Sequence, residues 1–150
     1  MISCERSWPS ITDGSGPKIA WTDTTGVRPI PLHEDTISTA ATAAAALDDK
    51  KAQQIALLDV SGLLVVTDVF IIASGTSRRH VQTLAEEVEM GLRPLGRRPL
   101  RREGMEHATW VLLDYGDVVV HVFDRDTREY YDLERLWADA PRLAFTAAPS

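Results

Sequence analysis

At 150 residues the chain suffices for one folded domain and is too short for two ordinary ones. Sixteen Lys and Arg against 22 Asp and Glu give a formal net charge of −6, with 44% hydrophobic and 25% charged residues, a globular balance without the basic excess of a protein living on bare nucleic acid. One cysteine, Cys4, forms neither an internal disulfide nor a cysteine zinc site, and the longest apolar runs (43–47 and 69–73) fall far short of the ~18 residues of a membrane span, so a soluble cytoplasmic protein without membrane association is expected.

Residues 1–35 read as a disordered N-terminal tail: 18 of them are Ser, Pro, Thr, Gly or Asp, and no apolar period persists despite Trp8 and Trp21. A helix opens at Thr36 or Ser38 as cap, and its face of Ile37, Ala40, Ala41, Ala44 and Leu47 suits close docking rather than a deep core role. A strand is expected at 55–60. The continuous apolar run 69–73 predicts a strand buried on both faces. Gly75-Thr76-Ser77 then leads into a helix with Val81, Leu84, Ala85, Val88 and Leu92 on one face, stopped by Pro94 and Gly96. A short strand at 99–102 precedes a β-hairpin of 109–114 and 117–123. Asp126 or Thr127 caps a last helix with Tyr130, Leu133, Leu136 and Trp137 as its inner face. The expected fold is therefore α/β, a mixed β-sheet packed with helices, over a domain at 36–143, with 144–150 as a disordered C-terminal tail.

Charge is unevenly spread along this order. Arg93, Arg97, Arg98, Arg101 and Arg102 place five positive charges in ten positions, whereas 103–139 holds ten acids and three arginines. Such a cluster is either a solvated loop or strand edge, or a phosphate or RNA contact on an acidic protein, drawn from Arg97, Arg98, Arg101 and Arg102.

The hairpin carries the most information. With Tyr115-Gly116 as a two-residue loop, Asp114 opposes Asp117 and Trp110 opposes His121. One face is then aliphatic, and the other holds Asp114, Asp117, Leu112, Val119, Trp110 and His121. Like charges opposite one another destabilise a sheet. Two readings follow: both aspartates splay into water, or a metal or a partner's Lys or Arg arrives from outside, with Trp110 as an interface anchor and Tyr115 extending the patch.

Gly75-Thr76-Ser77 also stands where nucleotidyltransferases place a Gly-Ser motif for a triphosphate. Those enzymes need two carboxylates one residue apart on the next strand, and the nearest acids, Glu86, Glu87 and Glu89, lie inside a helix. Ser77 and His80 share a turn without a third group, and His107 and His121 have no metal-like spacing.

Taken together, IALLDVSG at 55–62, TD at 67–68, IIASGTSRRHV at 71–81, WVLLDYGDVVVH at 110–121 and YDLERLW at 131–137 resemble the ribosomal silencing factor (Iojap) family over all of the folded domain. RREG at 101–104 is most similar to actinobacterial members. The resemblance implies a nucleotidyltransferase-like fold lacking the catalytic carboxylates, no enzyme activity, no cofactor and no metal. It implies binding to large-subunit ribosomal protein L fourteen on the large ribosomal subunit, which blocks joining of the small subunit and represses translation when nutrients are scarce. Maturation of the large subunit is the alternative, with active nucleotidyl transfer a remoter one, and monomer and homodimer both stay open. Trp110, Leu112, Asp114, Tyr115, Asp117, His121 and Asp68 become the implied partner-binding residues, with the arginines facing nearby ribosomal RNA. The family usually begins near the first helix, so one hypothesis is a start downstream of Met1, at a non-AUG codon such as Val27 or Leu32.

Overall fold

The computed structural model describes residues 18–21, 34–64 and 67–146. Among them, seven strands form one mixed sheet: β1 (Lys18–Trp21), β2 (Gln53–Asp59), β3 (Val69–Gly75), β4 (Arg101–Glu103), β5 (Trp110–Asp114), β6 (Val118–Asp124) and β7 (Arg142–Thr146). Their order across the sheet is β1-β7-β2-β3-β6-β5-β4, with β3 and β6 parallel and every other pair antiparallel. The α/β class expected from sequence is the one observed.

β3 occupies the centre because its seven residues are buried on both faces, as the unbroken apolar run requires. Helices α1 (Glu34–Asp49) and α2 (Arg78–Leu92) pack on one face, where Ala40, Ala44, Leu47, Leu57, Ile71, Val81, Leu84, Val88, Leu92, Val111 and Val120 make the main core. The helices meet at Gly91, where even a Cβ would make only ordinary contact, 3.6 Å from the Ala46 methyl. Short helices α3 (Arg125–Tyr131) and α4 (Leu133–Leu136) follow β6, and with the chain to Ala140 they cover part of the other face, over Ala56, Leu58, Phe70, Ile72, Val119 and Phe123.

α2 matches its sequence signal closely. Ser77 is its N-cap, accepting from the His80 amide at 3.1 Å, and the five apolar residues named above are its buried ones. Elsewhere the fold departs from expectation. β1 forms inside the segment read as a tail, pairing with β7, whose residues 144–146 fall in the segment read as the C-terminal tail. The remaining residues of those two tails lie outside the described ones, apart from Glu34 and Asp35, which open α1. α1 starts before Thr36, which is buried within it rather than capping it. The alanine face is deep core, with Ala40, Ala43 and Ala44 fully buried, because two helices and a sheet can close tightly only over small side chains.

The last helix is broken in two. Asp132 adopts a left-handed conformation (φ 48°), and the cap is Asp124, which accepts from the Thr127 amide at 2.8 Å, in place of Asp126 or Thr127. Tyr130 and Leu136 are consequently exposed, Leu133 and Trp137 pack half-buried on the core as expected, and the buried residue is Arg128. Its guanidinium donates to Glu134 at 2.8 Å and to the Ser74 hydroxyl at 2.8 Å, satisfying a charge that burial would otherwise penalise.

Candidate functional site

The hairpin register differs from the sequence reading by two residues. Asp114 opposes Val119, Leu112 opposes His121 and Trp110 opposes Phe123; the Tyr115 amide bonds the Val118 carbonyl, so the loop is Gly116-Asp117 rather than Tyr115-Gly116. Gly116 has φ +92°, the conformation such a tight turn demands and glycine supplies. A slip of two keeps every strand residue on its own face but moves Asp117 out of the strand and into the turn.

The two aspartates therefore do not confront one another. Asp117 turns toward the helices, where it accepts from the Thr36 hydroxyl at 2.7 Å and pairs with Arg97. The cation anticipated from outside is, for Asp117, a residue of the chain itself. Asp114 caps the turn by accepting from the Gly116 amide at 2.8 Å, and its second oxygen lies 3.9 Å from Arg101.

On β5, Trp110, Leu112 and Asp114 are half-buried and point to the face opposite α1 and α2. Alternate residues of a strand stand about 6.6–6.8 Å apart. The result is a strip of indole, isobutyl and carboxylate beside the short edge strand β4. Trp110 is anchored from below, stacking on Phe123 at 5.0 Å between centroids and meeting Tyr131 at 4.7 Å. Its indole N–H donates to Nδ1 of His121 at 3.2 Å.

His121 and Tyr115 do not reach this surface. His121 is buried against Phe70, and burial pushes its pKa down to about 4 despite the opposing pull of Asp114, so the imidazole is neutral. Its Nε2 has no hydrogen-bond partner among the described residues. Tyr115 points the other way, into the main core, so it does not extend the patch. Burial, assisted by Glu89, pushes its hydroxyl up to about 12 against Arg97 and Arg102. Asp68 lies at the turn end of the sheet, where its amide donates to the Asp117 carbonyl at 2.9 Å.

The arginines divide as well. Arg97 is committed to Asp117 and the Tyr115 carbonyl, Arg102 lies 2.7 Å from Glu89, and Arg101 and Arg98 are exposed or nearly so at the strand edge. Glu89, in the last turn of α2, joins this group because β4 folds Arg102 back against it.

The Gly-Thr-Ser turn ends β3 beside β6, whose terminal carboxylate, Asp124, is occupied as the cap of α3. His80 turns away from the Ser77 hydroxyl: its Nδ1 accepts from the Thr76 amide at 2.9 Å and its Nε2 meets the Lys50 carbonyl at 2.7 Å. Among the described residues no three His, Cys, Asp or Glu are grouped to hold a metal ion, and no helix is long and apolar enough to cross a membrane.

A mixed sheet with two helices on one face, and a strip of Trp110, Leu112 and Asp114 on the other, defines a small α/β protein. Residues 33–150 match the family described as "Ribosomal silencing factor during starvation". The chain is 50% identical over 99 residues to the ribosomal silencing factor RsfS of Bacillus subtilis, covering 66% of this chain and 84% of that protein. A crystal structure from Bacillus halodurans superposes with a TM-score of 0.64 at 43% identity, over 71% of this chain and 97% of that one. A mouse protein named "Mitochondrial assembly of ribosomal large subunit protein 1" is 33% identical over 61% of this chain and 41% of its own length. The chain belongs to the ribosomal silencing factor family.

Proposed function

We propose that this protein acts in the cytoplasm by binding the large ribosomal subunit through large-subunit ribosomal protein L fourteen, and that it blocks joining of the small subunit by steric overlap. Family membership supports the ribosomal setting. The observation that carries the contact is the strip of Trp110, Leu112 and Asp114. It combines an aromatic anchor braced from beneath with a carboxylate whose basic neighbour among the described residues, Arg101, stands as far off as 3.9 Å. Ribosomal proteins are basic, so an acidic, aromatic patch is matched to one both in charge and in hot-spot chemistry. Asp68 stands at the same end of the sheet as Asp114. Tyr115, Asp117 and His121 serve this surface from behind, holding the turn and the strand that present it.

Co-sedimentation with purified large subunits tests the reading. The wild-type protein should travel with free large subunits and not with joined ribosomes. Asp114→Lys should lose most of that binding without unfolding. Trp110→Ala should lose it too, with its folding checked separately because the indole also packs the sheet. Unchanged binding of Asp114→Lys would overturn the interface. The name of the mouse relative favours a second reading, maturation of the large subunit. That reading requires precursor particles to accumulate on gene deletion while subunit joining stays normal.

A further inference from the structure

The end of α2, the following 3-10 turn (Arg93–Leu95) and β4 enclose a cleft of about 500 Å³ lined by Glu89, Arg93, Arg97, Arg98, Pro99 and Arg102. Four arginines and one glutamate thus line a single cleft in a chain whose overall charge is −6. Arg97 is partly neutralised by Asp117, and Arg102 lies 2.7 Å from Glu89 without the alignment of a hydrogen bond. Arg93 and Arg98 have no ion-pair partner among the described residues. One carboxylate oxygen of Glu89 in the lining is buried without a hydrogen-bond partner among the described residues, so the cleft is polar and incompletely satisfied.

We infer that this cleft is a phosphate-binding site and that its ligand is the backbone of single-stranded or looped RNA. Converging guanidinium groups repel one another, and an oxyanion between them removes that repulsion while accepting paired N–H donors from the planar forks. Glu89 offsets Arg102 and Asp117 offsets Arg97, which leaves Arg93 and Arg98 as the uncompensated cations of the site. A cleft of about 500 Å³ is larger than one phosphate requires, so successive phosphates of a polyanion fit it. Arg101 on β4 is exposed but stands 3.6 Å from Glu103 and 3.9 Å from Asp114, so the free positive charge belongs to the cleft itself. The inference rests on the ribosomal reading only for RNA as the source of the phosphates.

The test uses the full chain and a short fluorescein-labelled single-stranded RNA followed by anisotropy, with sodium pyrophosphate titrated calorimetrically as the small-anion probe. Arg93→Gln and Arg98→Glu are the informative variants, since neither side chain holds an internal ion pair among the described residues. Each should weaken RNA binding about tenfold and reduce the slope of log affinity against log salt by about 0.7 for each phosphate that is no longer neutralised. The control is Arg78→Glu with Arg79→Glu, an exposed pair at the opposite end of α2, which should leave binding unchanged. Equal losses in the control and cleft variants would mean diffuse attraction and overturn the site. Pyrophosphate binding that Arg98→Glu abolishes, with RNA affinity untouched, would overturn RNA as the ligand and leave a small-anion site. Asp114→Lys should retain RNA binding, so failure of the cleft and failure of the protein contact are read separately.

Discussion

His121 shows how one side chain can be legible as unusual and still be misread in role. The family resemblance puts this imidazole among the partner-binding residues; in the fold it is a buried acceptor for the Trp110 indole. Its pKa of about 4 makes stability pH-dependent. The unfolded chain takes up a proton near the ordinary value of about 6.5 and the native state resists it, so stability is complete above that value and is lost as pH falls toward 4. Between pH 7 and pH 5 this group should cost about 2 kcal/mol, measurable by urea unfolding at the two values. His121→Gln should remove that part of the pH difference. A variant retaining the full wild-type loss would place its origin elsewhere.

Among the elements, the β4–β5 connection and the start of α2 depend on single residues. Gly104 has φ +85°, and a Cβ there would stand 2.0 Å from the Trp110 carbonyl oxygen. Gly104→Ala must therefore shift the backbone that carries the proposed strip, and should destabilise by about 1–3 kcal/mol in denaturant unfolding. Ser77→Ala removes the cap accepting from the His80 amide and should cost about 1 kcal/mol, by the same measurement. The start of α2 was legible because the Gly-Thr-Ser turn is followed by an apolar 3.6-residue period, while the capping role of Ser77 came from the fold. The hairpin turn was not: Tyr115-Gly116 and Gly116-Asp117 each give a two-residue loop, and only the Tyr115–Val118 bond chooses between them.

Over the whole molecule, Asp117 ties together parts of the chain that sequence leaves unrelated: the hairpin turn, Thr36 of α1 and Arg97 beyond α2. Asp117→Asn keeps the shape and removes the charge, and should cost about 1–3 kcal/mol in urea unfolding, since Arg97 loses its counter-ion. The main core, β3 and the buried face of α2 were readable from periodicity, because burial imposes a period on sequence wherever an element is long. Family membership was readable for a related reason: motifs lining one fold recur in order along the chain. The rest depended on distance in space. Which carboxylate meets which arginine, which of Trp110, Tyr115 and His121 faces outward, and that Glu89 joins four arginines around one cleft are decided by strand register and helix packing. Sequence by itself determined the central elements and the family, because both are written in local order, but not β1, β7 or the break in the last helix. Only the tertiary structure decided the sites, because charges and aromatic rings act across a few ångströms whatever their separation along the chain.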